Sequence, residues 1–441
     1  MKKYLSMTML SAFLFTFYQS PDFYQAKSIL GSSGQTISTY NLSPQREKEY
    51  TFKDNISDFN LGLILIGNKS FYKEKITSLG YDNMTTISQK NCYKEMVSGV
   101  KKITNNRNTD GFYDIEPIVI RGSRLRSDEV KKVIYAFQND NPEVFWLANR
   151  YYVVCRGMDT VIKMSSVMQR REYEESLQKL NSKVDEILKS VPKGLSEYER
   201  ELFVHDYIVK NCKYDRSKDL QRPWERYTCL GCMVRKEAVC EGYSKATQLL
   251  LSRLGVKCRT ITGSRDQEQH MWNMVNIDGD WYHLDVTWDC SEELNRYFYF
   301  NVTDEVIKYD HKINEEVSKL SKEDLYNKNY NFSLPACSSK KYNYFTLNAL
   351  YVTYGTSNED LVKYINKVAR NNKNIFYFMI DPKIDFSSII KVFFQAPQYK
   401  FFNCIREVNN YLNSKVRFNT RSVRYSENKF QKVIGVKVEY A

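Results

Sequence analysis

The chain has 441 residues, which is too long for one ordinary domain and predicts two or three. It is 42% hydrophobic and 14% aromatic, so it has ample apolar material for a buried core and is expected to be globular. The net charge of +13 favours contact with anionic polymers or membrane surfaces, but no zinc finger or RNA-binding motif accompanies it, so we expect no nucleic-acid partner.

The N-terminus, residues 1–26, is predicted to be a signal peptide or an N-terminal anchor. Two lysines precede a largely apolar stretch, residues 5–17, which is shorter than the ~20 residues that span a bilayer. Tyr24 stands where a small residue would favour cleavage, so an uncleaved anchor remains an alternative, as does a core helix of a cytosolic protein. We therefore expect a secreted protein or one anchored at the extracytoplasmic surface.

The next segment, residues 27–58, is polar and rich in turn formers, which predicts a flexible lead-in. Residues 59–168 are predicted to form an N-terminal α/β region. Its predicted elements are a buried strand or short helix "LGLILIG", a helix "DEVKKVIYAFQND", and strands "EVFWL" and "RYYVVCRG".

Residues 169–335 are predicted to form the catalytic core. A charged helix "REYEESLQKLNSKVDEILKSV" ends before Pro192, and Ser196 with Glu199 forms a capping box that opens the following helix. The segment "AVCEGYSKATQLLLSRLG" then predicts an amphipathic helix that begins near Cys240 and ends at Gly255.

A β-hairpin is predicted downstream, because the pair "DG" at 278–279 separates "HMWNMVNI" from "WYHLDVTWD". A two-residue turn would place His270 opposite Thr287, with Asp285 a diagonal neighbour at about 7–8 Å. His283 lies on the same face as Asp285, so spacing leaves two histidines as candidate bases.

Cys240 is the candidate nucleophile, because a helix N-terminus stabilises a thiolate and its free amides can receive an oxyanion. A histidine and a carboxylate, in that order along the chain, would complete a Cys-His-Asp triad. The alternative is that Cys240 is an ordinary packed thiol.

The remaining cysteines suggest neither a dense disulfide framework nor a metal site. The chain has ten cysteines, and the pair Cys229 and Cys232 forms a CxxC without a second pair or a closely spaced histidine. We predict no metal and no cofactor.

Residues 338–441 are predicted to form a small C-terminal α/β domain. Its predicted elements are a strand "YNYFTLNALYVTYG", a helix "EDLVKYINKVARNN", a strand "NIFYFMI", a further helical region and a closing pair of strands. No histidine follows His311, so no catalytic residue is predicted there.

The motifs "AVCEGYSKATQLLLSRLGV" and "HMWNMVNIDGDWYHLDVTWD" closely resemble the core of the bacterial transglutaminase-like superfamily. That superfamily is related to papain-type cysteine peptidases and to the kyphoscoliosis peptidase and cytokinesis proteins. With "YFNVTDE" and "KYDH", the similarity spans about residues 125–312 and looks like the longer form found in secreted proteins of Gram-positive bacteria. The resemblance implies an α+β fold: a papain-like core, a helical N-terminal region and a small C-terminal α/β domain.

The resemblance also implies the roles of individual residues. It makes Cys240 the nucleophile, His270 the base in preference to His283, and Asp285 the orienting carboxylate. Papain-like enzymes carry a glutamine shortly before the cysteine, but residues 225–239 contain none.

Three aromatic residues are further candidates around this site. Tyr227 or a backbone amide is the candidate second oxyanion donor. Trp272 and Trp288 are candidate walls of the cleft, with packing in the core as their alternative role.

The implied activity is acyl transfer through a thioester, either as a cysteine-type peptidase or amidase or as a transglutaminase-like acyltransferase. The expected partners are a peptide or protein substrate, such as a cell-wall or surface protein, and anionic wall polymers. The competing class is a non-catalytic binding or scaffold protein of the cell envelope that keeps the fold.

Overall fold

The computed structural model describes residues 29–30, 36–41, 79–217, 222–321, 324, 329–395, 397–412 and 417–441. The predicted signal or anchor and the segment "LGLILIG" lie outside these residues. Among the residues described, no helix combines the length and the apolar character needed to cross a membrane.

Helices and strands are interspersed along the described chain, which has an α+β fold as predicted. The strands are β1 (Ile29–Leu30), β2 (Thr36–Asn41), β3 (Ile103–Arg107), β4 (Tyr113–Ile115), β5 (Ile118–Ile120), β6 (Leu147–Arg156), β7 (Asp159–Ser166), β8 (Lys213–Tyr214), β9 (Glu237–Ala238), β10 (Lys257–Arg265), β11 (Glu268–Ile277), β12 (Asp280–Leu284), β13 (Phe300–Val302), β14 (His311–Ile313), β15 (Leu350–Val352), β16 (Ile375–Ile380), β17 (Phe418–Asn428) and β18 (Val433–Tyr440). The helices are α1 (Leu79–Asp82), α2 (Ile87–Gly99), α3 (Ser127–Asp140), α4 (Arg170–Ser190), α5 (Glu197–Asn211), α6 (Cys240–Arg253), α7 (Val286–Asp289), α8 (Asp304–Ile307), α9 (Tyr344–Asn348), α10 (Asn358–Arg370), α11 (Phe386–Phe394) and α12 (Lys400–Tyr411).

The chain divides into two compact units. The first unit comprises Met1–Gly279 and Asp310–Pro335, and the second comprises Asp280–Tyr309 and Ala336–Ala441. The predicted boundaries differ, because they assigned residues 280–309 to the catalytic core.

Contacts that are distant in sequence explain this difference within the second unit. Tyr297 stacks on Tyr344 with ring centroids 3.6 Å apart. The Gln431 side chain donates to the carbonyl oxygen of Phe298 at 2.7 Å. Such contacts join residues 280–309 to residues 336–441, and they cannot be predicted from the local sequence.

An antiparallel sheet forms the N-terminal part of the first unit, with strand order β1-β2-β6-β7-β4-β3 and β5 paired with β7. Strand β2 pairs with β6, with Thr36 opposite Cys155. The prediction of a flexible lead-in over 27–58 is therefore wrong for the described residues 29–30 and 36–41. The sequence "TISTYN" is rich in β-branched and aromatic residues, which favour a strand despite the polar surroundings.

The predicted capping box is confirmed at the start of α5. The Ser196 hydroxyl accepts the Glu199 N–H, and the Glu199 carboxylate accepts the Ser196 N–H at 2.8 Å. The preceding helix α4 ends at Ser190, before Pro192, as predicted. Both boundaries depend on residues only a few positions apart, which is why they can be read from sequence.

Helix α6 packs on the antiparallel pair of β10 and β11, and β14 lies on the other side of β10. Its buried residues include Leu249, Leu250 and Leu251. Gly255 follows the helix with a φ of 76°, the left-handed conformation that glycine adopts without strain. The predicted helix and its end at Gly255 are confirmed.

The predicted turn at 278–279 has φ of 50° at Asp278 and 93° at Gly279, as a type I′ turn requires. The predicted strand beyond it is too long, because β12 ends at Leu284. The Asp285 carboxylate accepts the N–H groups of Thr287 at 3.0 Å and Trp288 at 3.2 Å, and so caps the short helix α7. Thr287 is helical, and its predicted cross-strand position opposite His270 is wrong.

The second unit contains a four-stranded sheet of order β15-β16-β18-β17. Its apolar core includes Phe376, Phe378 and Phe401. The helix α10, the strand β16 and the closing pair β17 and β18 match the predicted elements. The predicted strand "YNYFTLNALYVTYG" is wrong in its first half, because the Asn343 side chain accepts N–H groups of the following turn and starts α9.

Candidate active site

Cys240 is the first residue of α6 and is half-buried. The residue before it, Val239, is extended with φ of −101° and ψ of 179°, and makes no side-chain capping hydrogen bond. The first amides of a helix have no acceptor inside the helix, and the helix dipole adds partial positive charge there. This end of α6 can therefore stabilise an anion at the Cys240 sulfur or on a bound carbonyl oxygen.

Gly242 allows the segment 226–228 to pack closely against the first turn of α6. A β-carbon at this position would lie 2.6 Å from the carbonyl oxygen of Arg226 and 2.9 Å from that of Thr228. The Arg226 carbonyl also accepts the N–H of Val239 at 2.9 Å. The absent side chain thus lets the turn Glu225–Tyr227 pack directly against the first turn of α6.

Replacing Gly242 by alanine is expected to lower the free energy of unfolding by about 1–3 kcal/mol, because the new β-carbon overpacks two backbone oxygens. A helical glycine that is free of such contacts would gain about 1 kcal/mol from the same change. Denaturant unfolding measures the sign directly. Ser252→Ala, near the other end of α6, is the control and should stay within about 0.5 kcal/mol; a stabilised G242A protein would contradict the packing.

Two tyrosines lie close to Cys240. Burial raises the pKa of Tyr227, and the nearby carboxylate of Glu241 and the sulfur of Cys240 raise it further, against the lowering effect of Arg226. Desolvation and Cys240 likewise raise the pKa of Tyr214, although 39% of that residue is exposed. Both phenols therefore keep their protons at neutral pH and can donate hydrogen bonds beside Cys240.

Tyr214 was not among the predicted site residues. The short parallel pair of β8 and β9 sets Tyr214 opposite Ala238, two residues before Cys240. Buried Asp215 and Arg226 reinforce this segment, with an ion pair of 3.4 Å and a hydrogen bond from Arg226 to the Asp215 carbonyl. A two-residue parallel strand has no recognisable sequence signal, which is why Tyr214 was missed.

A single hydroxyl connects the nucleophile's helix to the strand of the predicted base. Ser244 Oγ lies 2.9 Å from the carbonyl oxygen of Cys240 and 2.9 Å from that of Met271, the residue after His270. The Asn273 side chain, on the same strand, donates to the Ser244 carbonyl at 3.0 Å. The one hydroxyl proton of Ser244 is shared between the two carbonyls, and the contact with Met271 together with the Asn273 bond ties the first turns of α6 to β11.

His270 is buried in an aromatic cluster. Its ring stacks on Trp272 at a centroid distance of 5.7 Å and lies 5.4 Å from the ring of His311. Gly263, opposite His270 on β10, makes room, because a β-carbon there would lie 2.6 Å from the Trp272 indole. Trp272 is only 1% exposed, which favours the core-packing alternative over the predicted role as a cleft wall.

His311 is the second residue that sequence reasoning missed. Its Nδ1 lies 2.6 Å from Asp310 Oδ1, and the other Asp310 oxygen lies 2.8 Å from Arg265. The pairing of β10 with β14 sets His311 opposite Arg265. The motif "KYDH" contains His311, but nothing in that motif predicts that the His311 ring contacts the His270 ring.

The second unit holds the other predicted site residues. Asp285 is fully buried, and its backbone N–H donates to the carbonyl of Tyr299 at 3.1 Å. Trp288 lies on α7 and is half-buried. Pairing of Asp285 with His270 and a wall role for Trp288 stay predictions.

The rival histidine, His283, is engaged by a different carboxylate. It is fully buried, and its Nε2 lies 3.0 Å from Asp304 Oδ1. This hydrogen bond lowers the pKa of Asp304 against the effect of burial. The pairing with Asp304 favours a structural role for His283 and leaves His270 as the better candidate base.

All ten cysteines lie among the described residues. Seven are buried, including Cys229 and Cys232 of the CxxC, whereas Cys155, Cys240 and Cys290 are half-buried. Burial raises the pKa of Cys229 to about 12, as expected for an unreactive structural thiol. Cys240 is therefore one of the three cysteines that are partly exposed to solvent.

Helix α6, which begins at Cys240, packs on the strand that carries His270, and this arrangement is consistent with a papain-like α+β core. Residues 185–286 match the family model of the transglutaminase-like superfamily. This segment of the chain is thus transglutaminase-like, as the two central motifs predicted. No curated protein matches the chain.

Three solved structures are similar to parts of the chain. A candidate cysteine protease from Cytophaga hutchinsonii is 16% identical over 29% of this chain and 52% of its own, with a TM-score of 0.21. A TGase is 16% identical over 39% of this chain and 51% of its own, also with a TM-score of 0.21. A candidate protease from Parabacteroides distasonis is 12% identical over 32% of this chain and 30% of its own, with a TM-score of 0.19. The chain spans about half the length of the first two and less than a third of the last.

Proposed function

We propose that the protein is a thiol enzyme that transfers acyl groups through a thioester on Cys240, with His270 as the base and Asp285 as the carboxylate that orients it. The observation that carries this proposal is the Ser244 hydroxyl, 2.9 Å from the carbonyl oxygens of both Cys240 and Met271. It fixes the start of α6 relative to the strand of the base.

The proposed reaction begins when the Cys240 sulfur bonds to a substrate carbonyl carbon and His270 takes the thiol proton. The oxyanion that forms accepts hydrogen bonds from the first amides of α6 and from the Tyr227 or Tyr214 hydroxyl. The carbon–nitrogen bond then breaks, and His270 returns the proton to the departing amine. The product on the protein is a thioester.

The thioester is resolved by a second nucleophile. Water adds to the carbonyl carbon while His270 takes its proton, the thiolate leaves, and a carboxylic acid is released. A primary amine in place of water would give transamidation. We favour hydrolysis, because it requires no dedicated amine site.

The competing function is a non-catalytic scaffold of the cell envelope. A protein that uses this fold only for binding does not need an accessible thiol at the helix start. Cys240 is half-buried while seven other cysteines are buried, which favours the enzyme.

The proposed setting is outside the cytoplasm, on a peptide or protein substrate such as a cell-wall or surface protein. Two features of the sequence support this setting: the N-terminal lysines with their apolar stretch, and the net charge of +13, which suits anionic wall polymers.

The reaction is tested by incubating the full chain with a peptide library and a tagged primary amine, followed by mass spectrometry. We expect new peptide termini or deamidated side chains, both absent with Cys240→Ala. Incorporation of the tagged amine would instead assign transamidation as the main activity. Binding of peptides without any covalent change, equal in wild type and C240A, would overturn the enzyme in favour of the scaffold.

A further inference from the structure

We propose that the second unit binds one zinc ion through His283, Asp304 and Cys337. Each of these residues offers one ligand atom, and the three atoms lie within 4.8 Å of one another. Nitrogen, carboxylate oxygen and thiolate sulfur are the three ligand types that zinc uses in proteins. This site shares no residue with the proposed triad.

Backbone hydrogen bonds hold the three residues together although they come from separate parts of the chain. The Asp304 N–H donates to the carbonyl of Cys337 at 2.8 Å, and the Cys337 N–H donates to Asp304 Oδ2 at 3.1 Å. His283 lies on β12 opposite Val302 of β13, and its Nε2 is 3.0 Å from Asp304 Oδ1. The ligand set is therefore largely preformed, which reduces the entropy lost on binding.

Burial gives the site a dry interior with one open side. His283 is fully buried and Cys337 is 1% exposed, whereas 32% of the Asp304 side chain is exposed and provides a route for the ion. Lys308 lies 3.8 Å from the carboxylate, but its side chain is 57% exposed and can move into solvent when a divalent cation takes its place.

Binding exchanges a proton for the ion. Zinc would replace the hydrogen bond between His283 Nε2 and Asp304 Oδ1: the Nε2 proton is released or shifts to Nδ1, and the freed lone pair binds the ion. One Asp304 oxygen, the Cys337 thiolate and a water would complete the four ligands. The sulfur loses its proton when it bonds to zinc, because the ligand is the thiolate.

Zinc binding would stabilise the folded protein. Zinc would link residues 283, 304 and 337, which belong to the two chain segments that form the second unit. Because the unfolded chain has no preformed site, the ion should raise the melting temperature of the protein.

The test uses the full chain carrying Cys240→Ala, so that the accessible thiol does not compete for the ion. The protein is reduced, stripped with a chelator, and titrated with zinc against a chromophoric chelator. We expect one ion per chain, an increase in melting temperature, and an affinity at least about tenfold lower after Cys337→Ser. Cys404→Ser is the matched control, because Cys404 is a buried thiol of the same unit and should leave zinc binding unchanged.

Cobalt provides a second, spectroscopic measurement that reports directly on a thiolate ligand. We expect Co²⁺ to give a thiolate-to-metal absorption band with the C240A protein, and to lose it in C337S. Absence of the band in the C240A protein, failure to bind one zinc ion, or equal zinc affinity in C337S would each overturn the proposal.

Discussion

Replacing Cys240 by alanine is expected to reduce turnover by about 10⁴-fold or more, because the thioester can no longer form. The α6 amides could still bind a substrate carbonyl oxygen, but no sulfur would be present to attack the carbonyl carbon. The stability of the protein should change little, since Cys240 is half-buried and its side chain is small. Initial rates and denaturant unfolding on the same preparations measure both effects.

Cys155→Ala is the matched control for this variant, because Cys155 is also half-buried and lies on β6, away from α6 in sequence. It should keep the wild-type rate. Iodoacetamide labelling gives an independent readout: the fastest-reacting site of the wild type should disappear in C240A and persist in C155A. Unchanged turnover in C240A would remove the cysteine from the mechanism.

Replacing His270 by alanine is expected to slow both turnover and Cys240 labelling at pH 7 by at least about tenfold, because the thiol loses its base. At higher pH, hydroxide removes the thiol proton without help from the histidine. The labelling rate should therefore recover as the pH is raised, and the difference between H270A and wild type should narrow. A pH series of labelling rates measures this shift.

His283→Gln is the control, and its expected effect is of a different kind. His283 pairs with Asp304, so its loss should destabilise the protein and leave the pH profile of labelling unchanged. The hydrogen bond from His283 lowers the pKa of Asp304 in the folded protein. This bond therefore stabilises the folded state at pH values above the usual carboxyl range, and the stabilisation is lost as the pH falls through the folded-state pKa of Asp304. A labelling profile that responds to His283 and not to His270 would reverse the assignment of the base.

His270 and His311 belong to one aromatic cluster, which limits how far the His270 ring can move. The rings of His270, Trp272 and His311 contact one another, with centroids 5.1–5.7 Å apart, and His311 is held by Asp310 and Arg265. Contact with these two rings restricts the rotation of the His270 ring, which would reduce the entropy that the proposed base loses when it takes a proton from a fixed direction.

Local signals determined much of the secondary structure in advance. Ser196 with Glu199, Gly255 after α6, and the positive φ angles at 278–279 each depend on residues only a few positions apart. The predicted strand over "WYHLDVTWD" is wrong in its second half for an equally local reason, because the Asp285 side chain caps α7 and ends the strand.

The sequence by itself determined the helix that carries Cys240, the turn that follows β11 and the superfamily to which residues 185–286 belong. The tertiary structure decided which side chains surround those elements. Tyr214 reaches Cys240 through a two-residue strand pair, and His311 reaches His270 through the pairing of β10 with β14. Helix caps and tight turns are specified by neighbouring residues, whereas strand partners are chosen by the packing of distant segments, and a single sequence encodes that choice only in the sum of many weak contacts.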